Sequence, residues 1–411
     1  MDRSGSQIFQ DQMNILLLTN KLPYPPKDGG AIATLNMMTG LKKAGNQLTC
    51  LAINTRKHPF PLEEIPLELR AAIRFLAVEG NTSIKPISML ANLFFSRQPY
   101  IATRFRMEEY ADLLDQVLME TSFDLIQLEG PYMGYYIKQI RAICNTRVSL
   151  RAHNVEHIIW LRKAGTEANP LKRWYLRNMS ARLKRFELEV IDAADFLVPI
   201  SPADESYFYK EGIRKPMITI PTGLSLEHYP VSSLPGEPTL FFIGALDWIP
   251  NQEGLTWFLQ TTFEELVMKV PSLRFHIAGR NAPDHLIQKL NHPHIQFHGE
   301  VGDAASFMDR YRVMVAPLLT GSGIRIKIME GMAMGRPVAT TPVGIEGINA
   351  RNGIEVVIEN EPAKLADQLA RLLIRDEVAV PMAHSGRQFV ADNFDTFEIS
   401  TRLSQFYNSQ V

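Results

Sequence analysis

The chain has 411 residues, 45% of them hydrophobic and 21% charged, which excludes collagen-like, fibrous and wholly disordered classes and leaves room for about two domains. With 43 basic and 44 acidic residues the formal net charge is -1, so no whole-chain field attracts nucleic acid or an anionic membrane, and any basic surface is local. Cys50 and Cys144 are the only cysteines; without a Cys-x-x-Cys pair there is no disulfide framework or cysteine zinc site, and a reducing, cytoplasmic compartment is expected. Residues 1–12 are polar, lack the basic-then-apolar order of a secretory signal, and read as a disordered lead-in. The longest apolar stretches, residues 89–95 and 137–143, fall far short of the 18 or so residues of a membrane span.

Residues 13–19 (MNILLLT) form an apolar run of strand length, followed by a Pro/Gly loop over residues 21–30 and a helical stretch carrying Leu35, Met38 and Leu41 on one face. Gly45 marks its stop, and residues 47–53 (QLTCLAI) are β-rich again, so the chain opens with a β-loop-α-β unit whose strands are parallel by the crossover rule. Strands are expected at 124–128, 147–150 and 196–200, alternating with helices, the longest over 171–194. Residues 221–238 are rich in Pro, Gly and Ser without a period, and a second alternation follows, with strands at 239–243, 274–278, 295–298, 313–316 and 337–340. The predicted organisation is a doubly wound α/β domain over 13–220, a linker over 221–238, a second such domain over 239–390, and a C-terminal helix over 391–411 returning to the first domain.

Charge divides unevenly: 28 basic and 24 acidic residues precede residue 230, and 15 and 20 follow it. Residues 171–186 (LKRWYLRNMSARLKRF) hold six basic residues and no acidic one. Such a run is either a solvated helix face or, from Lys172 to Arg185, a peripheral contact for anionic lipid or for a lipid-phosphate acceptor.

Open α/β sheets bind ligands beyond the carboxyl ends of their strands. After the first strand, Gly29 and Gly30 precede a helix, where main-chain N–H groups approach a polar ligand closely, although this is not a dinucleotide fingerprint. The stronger feature is residues 320–338 (TGSGIRIKIMEGMAMGRPV), in which Gly321, Ser322, Gly323 and Ile324 are expected to open a helix and offer unpaired amides to an anion. Arg325 and Lys327 add two cations, enough to neutralise a diphosphate without a metal. Glu330 is placed to accept hydrogen bonds from vicinal hydroxyls, unless it merely pairs with Lys327 on a helix surface. No Asp-x-Asp motif occurs to clamp a metal-diphosphate, and no metal or other cofactor is expected. His153 and Glu129 follow strands at the same carboxyl edge; Glu129 is read as binding acceptor hydroxyls and His153 as a neutral hydrogen-bonding imidazole.

From residue 13 onward the chain resembles glycosyltransferase family 4, with six segments in register. LPYPPKDGGAIATLNMMTGLKKAG is similar to its acceptor-side glycine loop, RAHNVEH to its histidine segment and PTGLSLEHYP to its interdomain element; FFIGALDWIPNQEG, FHIAGR with HGEVGD, and GSGIRIKIMEGMAMGRPVATTPVGIEG are similar to its donor-binding half. The resemblance implies two facing Rossmann-like domains (GT-B) with an interdomain cleft. It implies retaining, metal-independent transfer of a sugar from a nucleotide diphosphate sugar to the hydroxyl of a glycan or lipid-linked acceptor, in polysaccharide, lipopolysaccharide or glycolipid synthesis. Glu330 matches the donor-ribose glutamate and His153 the histidine contacting the transferred sugar. Two departures stand out. Ser322 occupies the first glutamate position of the family's Glu-x7-Glu motif, and the Arg and Lys often found after the first donor-domain strand are missing from the turn that begins at Gly244. Arg325 and Lys327 are therefore expected to take over diphosphate neutralisation. The alternatives are a nucleotide-sugar epimerase and a catalytically silent sugar-nucleotide-binding protein.

Overall fold

The computed structural model describes residues 12–26, 28–57, 59–321 and 324–411; the expected lead-in, except for Gln12, lies outside them. The chain divides into two compact units. Unit 1 comprises Met1–Gly223 with Thr396–Val411, and unit 2 is Leu224–Asp395.

In unit 1 the strands β1 (Asn14–Thr19), β2 (Gln47–Thr55), β3 (Arg74–Gly80), β4 (Leu125–Glu129), β5 (Arg147–Ala152) and β6 (Phe196–Pro199) form one parallel sheet in the order β3-β2-β1-β4-β5-β6. The period of two decides the packing. Leu16 and Leu18 of β1 enter a core with Ile126 and Leu128 on one face, whereas Ile15 and Leu17 enter the other with Cys50 and Val198. Burial on both faces explains the unbroken apolar runs. β3 was not among the expected strands: most of its residues are only half-buried and it lies at the sheet edge, so it lacks the apolar continuity of β1. The Thr396–Asn408 helix closes the second core through Ile399, Leu403 and Tyr407. It lies so close to the Gly29–Lys43 helix that a Cβ on Gly40 would stand 2.1 Å from Ser400 Oγ.

Unit 2 repeats the plan. β7 (Thr239–Ile243), β8 (Arg274–Ala278), β9 (Ile295–Phe297), β10 (Val313–Ala316), β11 (Val338–Thr340) and β12 (Val357–Ile358) form a parallel sheet ordered β12-β11-β10-β7-β8-β9. Leu240 and Phe242 face one core, Phe241 and Ile243 the other. The two-residue β12, too short to show a period, was not expected. Residues 221–238 are not a free linker. Unit 2 begins at Leu224, whose amide bonds to Phe394 O, and Arg387 holds Tyr229 O at 2.7 Å. The helix expected to begin at 391 does not: Asp376–Phe394 is continuous within unit 2, and a new helix starts at Thr396.

In both sheets the strand order reverses between the first and fourth strands. The topological switch points are thus the carboxyl ends of β1 and β4 in unit 1 and of β7 and β10 in unit 2.

Candidate functional site

At the unit 1 switch point Glu129 ends β4 and is buried. Its Oε2 accepts from Arg151 Nη1 at 3.2 Å, Thr34 Oγ1 at 3.2 Å and His153 Nε2 at 2.6 Å, while Gln127 donates to Oε1. Burial by itself would raise this carboxyl, but the fully buried Arg151 guanidinium and His153 outweigh it and hold it at about 2. An ionised carboxylate only accepts, so the His153 nitrogen facing it carries the proton, and in the neutral ring Nδ1 is the acceptor. These protein donors let Glu129 orient His153, and Glu129 itself also lines the cavity beside that histidine.

His153 lines a cavity of about 180 Å³ with Asn20, Lys21, Gly30, Asn154 and Glu156. Gly29 and Gly30 begin a helix, as expected, but its N-cap is Asp28, whose carboxylate accepts from Ala31 N at 3.0 Å and pairs with Lys21 at 2.5 Å. The Asp28 carboxylate thus already occupies the N-terminus of this helix, and of the two glycines it is Gly30 that lines the cavity. Glu156 was missed in the sequence, where nothing but nearness to His153 sets it apart. Burial raises its carboxyl to about 7, despite the 2.8 Å hydrogen bond from Tyr132, with Glu187 adding like-charge repulsion. His157 has a structural role, held by Glu187 at 2.6 Å and Tyr207 at 2.7 Å.

At the unit 2 switch point β7 leads into Gly244. Lys327 Nζ reaches this turn, 2.7 Å from Asn251 Oδ1 and 4.4 Å from the Phe242 ring centroid. A Cβ on Gly244 would stand 2.9 Å from Asn251 Nδ2 and 3.0 Å from Lys327 Nζ, so glycine is what lets the ammonium approach the backbone. Burial, reinforced by the Arg325 charge and only partly offset by Glu330, lowers Lys327 to about 7. Arg325 is buried and lies 5.6 Å from the ring centroid of Trp248 in the same turn. Gly321 has φ 112°, and a Cβ there would meet Arg325 Nη2 at 2.8 Å. Glu330 accepts from Tyr229 Oη at 2.8 Å; burial raises its carboxyl, against that bond and the Lys327 charge. Lys327 and Glu330 thus each have partners of their own, Asn251 and Tyr229.

One expectation is corrected here. The glycine turn does not itself open the helix, which runs Ile326–Ala333 with Arg325 as N-cap. The β-branched Ile324 is half-buried beside Gly347, and helical structure begins only after Arg325. Ser322 and Gly323 lie outside the described residues. Among the described residues, no group of three or more His, Cys, Asp or Glu is arranged to hold a metal ion. Asn251, Trp248 and Tyr229 were not foreseen, because each acts through a neighbour distant in sequence.

Residues 237–375 match the family model described as "Glycosyl transferases group 1". A Klebsiella pneumoniae protein described as an uncharacterised 44.6 kDa protein in a cps region is 20% identical over 399 residues, covering 95% of this chain and 98% of its own. The fold is similar to that of sucrose-phosphate synthase from Thermosynechococcus elongatus, with TM-score 0.70, 18% identity, and coverage of 97% and 99% of the two chains. It is also similar to Anabaena HepE solved with UDP, with TM-score 0.68, 14% identity, and coverage of 97% and 100%. The chain therefore has the two-Rossmann-unit GT-B fold, and the segment similar to the group 1 glycosyl transferase family lies within its second unit.

Proposed function

We propose that this protein transfers a sugar, with retention of anomeric configuration and without a metal, from a nucleotide diphosphate sugar to an acceptor hydroxyl. The observation that carries the reading is the convergence of Lys327, Arg325 and the left-handed Gly321 on the turn after β7, inside the segment matched by the family model. Two side-chain cations at a strand-end switch point suit a diphosphate, and they stand where the usual loop Arg and Lys are missing. As the nucleotide diphosphate departs, charge grows on its leaving oxygen, and fixed cations aimed there are the largest catalytic contribution such a site makes. Glu330 accepts from the donor ribose hydroxyls. His153, oriented by Glu129, accepts through Nδ1 from a hydroxyl of the transferred sugar. The acceptor proton leaves with the departing phosphate.

UDP in the HepE structure makes uridine donors the first to test, and the relative from a cps region supports a glycan or lipid-linked acceptor in polysaccharide synthesis. The reaction is placed in the cytoplasm, with peripheral contact at the inner membrane face proposed alongside it. A thermal-shift screen against UDP, GDP, ADP and their sugars identifies the base, since a ligand stabilises only the state that binds it. Acceptor-dependent nucleotide release, undiminished by chelator, with the product anomer read by NMR, tests the chemistry. An isomerised sugar formed from donor alone would instead establish an epimerase, and binding without release under any acceptor a silent binding protein.

A further inference from the structure

The Pro86–Phe95 helix of unit 1 buries none of its residues. On it and just before it, Ile84 is 58% exposed, Ile87 83%, Leu90 52%, Phe94 73% and Phe95 90%. Contiguous apolar surface of this kind marks an interaction site. The helix is nevertheless tied down at both ends. Before it, Lys85 N donates to Tyr100 Oη at 2.9 Å and Arg104 Nη1 to Thr82 O at 2.5 Å. After it, Arg182 of the Pro170–Ala193 helix donates to the carbonyls of Asn92, Leu93 and Ser96 at 3.1, 2.7 and 2.8 Å. Protein thus satisfies the polar ends while the apolar side chains stand in water.

Arg182 also brings the basic run alongside. Residues 81–107 contain four basic residues and no Asp or Glu, and residues 171–186 contain six and none. Arg182 itself, and Lys184 through Glu211, serve the fold. Lys172, Arg177 and Arg185 remain exposed, as do Leu171 just before them and Trp174 between Lys172 and Arg177. The result is an apolar ridge flanked by cations, in two segments that have no negative charge of their own.

We propose that this face of unit 1 docks on an anionic lipid bilayer, with the Pro86–Phe95 helix lying in the headgroup region, Ile87, Phe94 and Phe95 inserted, and the exposed cations on lipid phosphates. The sign of the charge selects the occupant. A second copy would set like charges against each other, whereas an anionic surface rewards both the ridge and its flanks. Ten residues lie in an interface but do not span it, and no described helix is long and apolar enough to cross. Docking does not depend on the transfer reaction and is measured without it.

The full chain is sedimented with phosphatidylcholine vesicles and with vesicles containing about one-third phosphatidylglycerol, at low and high salt. Two variants are compared with it: Ile87→Asn/Phe94→Ser/Phe95→Ser, and Lys172→Glu/Arg177→Glu. All these positions are solvent-exposed, so both variants should melt close to the wild type. The wild type is expected to bind only the anionic vesicles, with a blue shift of tryptophan emission that Trp174→Phe removes, and each variant to lose at least about tenfold in partitioning. Failure of the wild type to sediment, or undiminished binding by the triple apolar variant, overturns the proposal. A wild-type dimer that the triple variant converts to monomer, with no vesicle binding, overturns it in favour of a homodimer interface.

Discussion

A nucleotide site that holds a lysine near neutrality must take up a proton when a diphosphate arrives. Lys327 is lowered to about 7 by burial and by Arg325, so at pH 8 about 0.9 of the molecules carry it uncharged, at pH 7 about 0.5 and at pH 6 about 0.1. A bound diphosphate places negative charge against the ammonium and returns it to the ordinary lysine range, so these fractions are also the protons absorbed per ligand. Calorimetric titration in buffers of different ionisation enthalpy measures them directly. The ligand should be the sugar nucleotide, whose phosphates do not titrate in this range, unlike the terminal phosphate of a free nucleoside diphosphate. Lys327→Arg keeps the charge and should bind with uptake close to zero at every pH. Lys327→Met should lose donor affinity yet melt higher at pH 7. The unfolded chain holds the lysine proton up to about 10.5 while the fold releases it near 7, so apoprotein stability rises as pH climbs through that window, and below it the fold bears the full penalty, on the order of a few kcal/mol. Uptake near zero in the wild type at pH 8, or uptake retained by Lys327→Arg, would refute the reasoning.

Glu129→Gln leaves the fully buried Arg151 without its counter-charge, and denaturant unfolding of the full chain should show a loss of about 3–5 kcal/mol. Because the Glu129 carboxyl lies at about 2 in the fold, below its unfolded value of 4.5, its contribution is complete above pH 4.5 and is lost as pH falls toward 2. The difference between wild type and variant should shrink over that interval; a constant difference would show that charge is not the cause. Glu156 behaves oppositely. Its carboxyl is raised to about 7, so the fold holds a proton that the unfolded chain releases, and wild-type stability falls as pH rises from 4.5 to 7. Glu156→Gln should therefore gain on the wild type across that window, read as melting temperature against pH; parallel curves would contradict burial as the source.

How far each feature was legible depends on how local its physics is. β1 and β7 announce themselves because strands buried on both faces must be apolar throughout, and the parallel order follows from crossover connections too long for hairpins. Gly321, Arg325 and Lys327 stand out in the sequence for a related reason, since a glycine and two cations fall within one short window. Edge strand β3, half-buried, and the two-residue β12 carry no such signal. The helix start at Ile326 was misplaced because glycines suggest a cap, while the actual N-cap is Arg325, fixed by burial against Trp248.

What the chain determines by itself is its alternation of strands and helices and the clustering of Gly321, Arg325 and Lys327 in one short segment, because period and residue type are properties of a short window. Tertiary structure alone decided that Glu129 turns inward to Arg151 and His153, that Lys327 is discharged near neutrality, and that the apolar Pro86–Phe95 segment lies on the surface. Each of these depends on desolvation and on partners tens of residues away, and burial is set only when the whole sheet and its covering helices have closed.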